Sequence, residues 1–188
     1  MGRSRHAFLA SERGSGSVEF ALVGLIFVAM MVGIVDMGRL AFEINRAKAA
    51  TRAGARYAVV NPMVSMEMRK DWSAESGGNG LPVPIASVPT ITCNSAGCST
   101  GASDATVFTA IVTRMQVFDP ALQASNVEVV YEHVGLGVVG NPYAPDVEPL
   151  VTVRLTGLRF APGALQIFGR PTLTLPSMTT TLSGEDLN

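Results

Sequence analysis

From Phe20 to Val35 every side chain is apolar or a glycine, and the residue just before that run, Glu19, is an acid. A run of this length and purity satisfies its backbone only as a helix, and its side chains want lipid or a deep core. The chain has no proline between Ser15 and Asn61, and Asn61-Pro62 is a stop signal. One helix over 15–60 is therefore expected, with a membrane span at about 18–40. At 1.5 Å per residue such a helix reaches roughly 65 to 70 Å, whereas a hydrocarbon core is about 30 Å thick, so its second half must stand outside the bilayer.

The residues before the run form a short basic leader, with Arg3, Arg5 and Arg13 against Glu12, and the leader meets the helix at a small residue, Gly14. A secretory signal has its small cleavable residue after the apolar stretch; here it comes before, so a cut would leave the anchor attached. The chain of 188 residues has a net charge of −1 and lacks any polybasic surface, which argues against a nucleic-acid partner. Charge is nonetheless unevenly spread. Arg39, Arg46, Lys48, Arg52 and Arg56 face only Glu43 over 39–56, and the remainder from Tyr57 onward is acidic. Counting Lys and Arg beside the span would put the C-terminal part in the cytoplasm. The cysteines favour the opposite orientation. Cys93 and Cys98 form a C-x4-C pair in a Ser/Gly/Asn loop and can close a small disulfide ring in an oxidising compartment; two unpaired thiols are the alternative. Two cysteines without nearby histidines make only half a zinc site, so no metal and no cofactor are expected.

In the second half of the long helix, Leu40, Ile44, Ala47, Thr51, Gly54 and Ala58 recur at three- and four-residue steps, a narrow stripe that lets another backbone come close. Lys48, Arg52 and Arg56 follow one another at i,i+4 and repel mildly in an isolated helix. Either headgroups and water solvate them, or they touch a neighbouring subunit. Asp36 and Arg39, with Glu43 next in reach, read as ion pairs marking the helix's exit from the bilayer.

Residues 61–103 contain Ser76-Gly77-Gly78-Asn79-Gly80 and Pro82, Pro84 and Pro89, and read as an irregular linker carrying the Cys93/Cys98 loop. Residues 104–188 read as an α+β domain. Ala105–Phe118 follows Ser103-Asp104, a usable N-cap, and stops at Asp119-Pro120, which predicts a second helix with a strand as competitor. Val127–Tyr131, Leu150–Leu158 and Leu173–Leu182 show partial period-two alternation and predict antiparallel strands. The fold class is thus α+β: a long N-terminal transmembrane helix, then a small antiparallel sheet with one additional helix.

Catalytic chemistry has little to work with. His6 and His133 are the two histidines, and His6 lies in the leader, so no catalytic residue is assigned and His133 is expected in a loop or at the surface. Gly135-Leu136-Gly137-Val138-Val139-Gly140 echoes a dinucleotide fingerprint, yet Asn141-Pro142 follows at once and no helix can start there to hold a pyrophosphate. An enzyme is not expected.

Gly14 followed five residues later by Glu19-Phe20 resembles the type IV prepilin processing site. With Ser17-Val18-Glu19-Phe20-Ala21-Leu22-Val23, then Asp36-Met37-Gly38-Arg39, then Ala53-Gly54-Ala55-Arg56-Tyr57-Ala58, the first quarter of the chain resembles the TadE-like family, pseudopilins of tight-adherence (type IVb) pilus systems. The resemblance implies a pilin-like protein of the bacterial inner membrane, single-pass, with its C-terminal domain in the periplasm or at the cell exterior. It implies cleavage between Gly14 and Ser15 by a prepilin peptidase, and partnership with other pilins, the inner-membrane assembly platform and the lipid bilayer. Ser15-Gly16-Ser17 is more polar than the start of many mature pilins. After such a cut, Ser15 would present an α-ammonium one helical turn from the Glu19 carboxylate, and pairing the two is far cheaper in a low dielectric than leaving either alone. An uncleaved single-pass envelope protein with an extracytoplasmic binding domain is the competing reading.

Overall fold

The computed structural model describes residues 15–142, 145–163, 169 and 172–183. Helix α1 runs Ser15–Val60, unbroken over 46 residues, which the absence of proline permits. Its stop is local: the Asn61 side-chain amide donates to the Tyr57 carbonyl at 2.9 Å, satisfying one of the acceptors a helix end leaves open, and Pro62 follows. The chain divides into two compact units, 1–42 with 161–173 and 43–160 with 174–188.

In the first unit α1 contains an 18-residue stretch of mean hydropathy 2.6, none of it buried, which makes it a candidate membrane span. Large apolar side chains stand exposed all round it, among them Phe20, Leu25, Ile34 and Met37. Near the end of that stretch Asp36 is buried; it pairs with Arg39 at 3.5 Å and accepts the Gly163 backbone N–H at 2.9 Å. Two polar groups are thereby satisfied where an unpaired acid would be costly.

The second unit is one five-stranded antiparallel sheet with helices on one face. Its strands are β1 (Ile91–Asn94), β2 (Gly97–Cys98), β3 (Val127–Glu132), β4 (Leu150–Leu155) and, after the two-residue strands β5 (Arg159–Phe160) and β6 (Leu173–Thr174), β7 (Met178–Ser183). The order across the sheet is β2-β1-β3-β4-β7. Register follows the alternation: Val129 lies opposite Val153 and Tyr131 opposite Val151, and all four are fully buried. The other face is polar, with a Thr152–Thr181 hydroxyl contact at 2.8 Å and an Arg154–Glu128 ion pair at 3.7 Å. One dry and one wet face is the usual state of an antiparallel sheet, and the alternating strands encode it.

The dry face is covered by the second half of α1 and, after the short helix α2 (Ser73–Ser76), by α3 (Ala105–Gln116). The small-residue stripe of α1 packs inside this unit: its Ala47, Thr51 and Ala58 are buried, as are Ala50 and Ala55 beside it. At Gly54 a Cβ would stand 2.7 Å from Cγ and Sδ of Met115 and 3.4 Å from Val153, so only glycine admits α3's methionine there. Helix α3 starts where its cap sits. The Asp104 carboxylate accepts the N–H groups of Thr106 (3.1 Å) and Val107 (3.2 Å), and these bonds hold its carboxyl below the ordinary aspartate range, Val107 contributing most.

The segment 61–103, expected to be an irregular linker, is irregular in backbone yet built into the core. Met63, Val64, Met68, Trp72, Val83 and Val88 are buried, and the segment ends in strands β1 and β2. Its polar groups are tied to distant elements. The Tyr131 hydroxyl accepts the Val64 N–H at 2.9 Å, Ser65 bridges Ser103, and the Asp146 carboxylate accepts the Trp72 N–H at 3.0 Å. Leu173–Leu182, expected as one extended stretch, is broken into β6 and β7 around Pro176.

Candidate functional site

Gly14 lies outside the described residues, and α1 begins at Ser15. Glu19 and Phe20 sit in the second turn, both exposed, Phe20 to 81%. Among the described residues Glu19 makes no ion pair, although it opens the most apolar stretch of the chain. In a helix that starts at Ser15, positions 15 and 19 share a face one turn apart. The Glu19 carboxylate therefore stands one turn from the first residue of the described helix.

Cys93 and Cys98 are joined in a disulfide. They are direct partners across the β1–β2 hairpin instead of points on a loose loop. The turn is built by Asn94, whose side-chain oxygen accepts the Ala96 N–H at 2.8 Å, and by Gly97 at φ 137°. Strand β2 is only two residues long and is the edge of the sheet, so the bridge fastens an edge that its ladder bonds hold weakly.

His133 lies in the loop just past β3, one of the two expected places, and not at the surface: it is 4% exposed, continues the alternation of Val127, Val129 and Tyr131 by one step, and its Nε2 lies 3.0 Å from the Val83 carbonyl oxygen. Extending the period-two count by one residue would have found it. The basic residues of α1 behave unequally. Arg46 pairs with Glu43 at 3.6 Å and, more closely, with the buried Asp119 at 2.9 Å, a contact between α1 and the end of α3 that sequence spacing could not show. Lys48, Arg52 and Arg56 are exposed and carry no ion pair among the described residues.

The glycine run forms a tight loop, with Gly135, Gly137 and Gly140 all at positive φ. A Cβ at Gly137 would meet the Asp146 carbonyl oxygen at 2.6 Å, so backbone closeness explains that glycine without any nucleotide.

No curated protein and no solved structure matches the chain. Residues 14–56 match the family described as TadE-like protein, a stretch that spans Gly14, Glu19 and most of α1 and stops short of the sheet. By that match the N-terminal segment of this chain is similar to the TadE-like family.

Proposed function

We propose that this chain is a minor pseudopilin or pilus assembly protein of a bacterial tight-adherence (type IVb) pilus or secretion system. In this reading a prepilin peptidase cuts after Gly14, and the chain then assembles with other pilins and the inner-membrane platform through α1. The observation that carries it is the exposed Glu19, without an ion pair among the described residues, one turn from the Ser15 start of a 46-residue helix whose first half is apolar on every side. Inserting a lone acid at mid-bilayer costs about 2.5 to 3.5 kcal/mol on insertion scales, less near the interface, and an adjacent ammonium lowers that cost. The family match over 14–56 supports the same reading from the sequence side.

The Cys93–Cys98 bridge supports an extracytoplasmic location for the sheet unit, since such bonds persist in oxidising compartments. The unit's role is that of a structural and binding module without catalysis of its own. Glycine at the residue before the cut admits the chain to a narrow peptidase site, and Gly14→Arg blocks that entry while leaving the span apolar. The variant is expected to remain membrane-bound and to migrate as the uncut form, like the parent chain in a strain lacking the peptidase. Normal maturation of Gly14→Arg would overturn the proposal in favour of an uncleaved envelope protein.

A further inference from the structure

Between the second half of α1 and α3 runs a groove of about 660 Å³. Val60 and Phe118, exposed to 53% and 42%, give it apolar walls, and Arg52, Arg56 and Arg114 stand around it. None of the three arginines carries an ion pair among the described residues. A second hollow of about 780 Å³ continues it along α3 past Tyr57 and Arg114. Three free guanidinium groups beside uncovered apolar surface form a socket for something both acidic and apolar.

The same unit carries a surface of that description at the end of β3. There the loop Val134-Gly135-Leu136-Gly137-Val138 presents Val134, Leu136 and Val138 outward, and the Ile85 side chain lies 3.4 Å from where a Cβ at Gly135 would stand. The loop is held from several sides: the Leu136 carbonyl accepts the Glu148 N–H at 3.1 Å, and Val139 exchanges backbone bonds with Gly80 (2.7 Å) and Leu81 (3.1 Å). Glu132 just before it and Asp146 and Glu148 packed beside Gly137 and Leu136 flank it, and none of the three has a cation partner among the described residues. Most other carboxylates of this unit are neutralised by Arg46, Arg69, Lys70 or Arg154. Uncompensated arginines thus stand around the groove and uncompensated carboxylates beside the loop, each next to exposed aliphatic side chains, and the two surfaces share no residue.

We infer that the arginine-rimmed groove between α1 and α3 receives the acidic apolar loop 134–138 of a second copy of this chain. The contact is heterologous, because groove meets loop and not groove, so each copy keeps one free groove and one free loop and the contact can repeat along a row. Its specificity comes from desolvated pairing of arginine with carboxylate, and its adhesion from Leu136 and Val138 against Val60 and Phe118. A bilayer surface fits the groove less well. Headgroups meet convex, snorkelling cations, whereas here the cations stand around a concave apolar floor that a flat surface cannot fill. The inference stands whether or not the leader is cut after Gly14.

The test uses the full chain in neutral phosphatidylcholine vesicles. Two differently tagged versions, Leu136→Cys and Val60→Cys, are reconstituted together and treated with a short bismaleimide. A product containing both tags is expected, well above the product either version forms with itself. Arg52→Glu, Arg56→Glu and Arg114→Glu together on the Val60→Cys version should lower that product about tenfold, the scale of like charges brought face to face. Glu132→Arg with Glu148→Arg on the Leu136→Cys version should restore it, which a merely misfolded groove could not do. A mixed product no greater than the self-products, or one indifferent to charge reversal, would overturn the inference. So would loss of the product in vesicles of anionic lipid at unchanged ionic strength, since headgroups would then be the groove's true occupant.

Discussion

The two halves of α1 belong to one unbroken helix and obey opposite rules. Up to Phe42 the helix exposes leucine, isoleucine, phenylalanine and methionine on every side; from Glu43 onward it hides alanine, threonine and glycine on one side and shows arginine and lysine on the other. The first half is written for a solvent that has no preferred direction, which is what hydrocarbon offers a single helix. The second is written for a sheet a few ångströms away, where small side chains set the approach and Gly54 makes room for Met115. Helix propensity is satisfied in both, so propensity carries no information about which environment each half meets. The sizes of the side chains and the distribution of charge around the axis carry it.

Three substitutions probe that contrast, in falling order of effect. Leu25→Asp places a charge in the half meant for lipid. On insertion scales the exchange costs about 3 to 4 kcal/mol, so carbonate-resistant membrane association should be lost, while an acid at the exposed position of Arg52 should leave association intact. Equal retention of the Leu25 variant would mean that this half is not a span. Arg46→Ala acts on the other half. It strands the nearly buried Asp119 carboxylate without its cation, and thermal unfolding should report a loss of about 3 kcal/mol. Adding Asp119→Leu should recover much of it; additive losses would show that the pair does not couple α1 to the end of α3.

The smallest effect lies deeper. Tyr131→Phe leaves the Val64 N–H without an acceptor and should cost about 1 to 3 kcal/mol at neutral pH. Burial pushes the Tyr131 hydroxyl up to about 12, against about 10 in the unfolded chain. Because the folded value is the higher one, its contribution is fully present below pH 10 and disappears as pH climbs from 10 toward 12. The parent should therefore lose stability more steeply over that interval than the phenylalanine variant. Parallel curves would place the phenol in contact with water.

How much of this was legible depends on the range of the forces involved. The ends of α1 and α3 were readable because Pro62 and the Asp104 cap act within a turn, and β3 and β4 because Val127, Val129 and Tyr131, then Val151, Val153 and Leu155, alternate without interruption. The segment 61–103 was not. Met63, Met68, Trp72, Val83 and Val88 enter the core at no fixed spacing, and what holds them is long-range, such as the Tyr131 hydroxyl on Val64 and Asp146 on Trp72. No local pattern records a partner dozens of residues away. The Arg46–Asp119 pair escaped notice for the same reason, whereas Glu19 was conspicuous because a lone acid against an apolar run contradicts its neighbours.

In the proposed function Ser15 becomes an amino terminus. Intact mass of the chain extracted from membranes of a strain with an active peptidase measures this directly. A species beginning at Ser15, with the Cys93–Cys98 bridge intact, is the predicted result; a species that still carries residues 1–14 would contradict it.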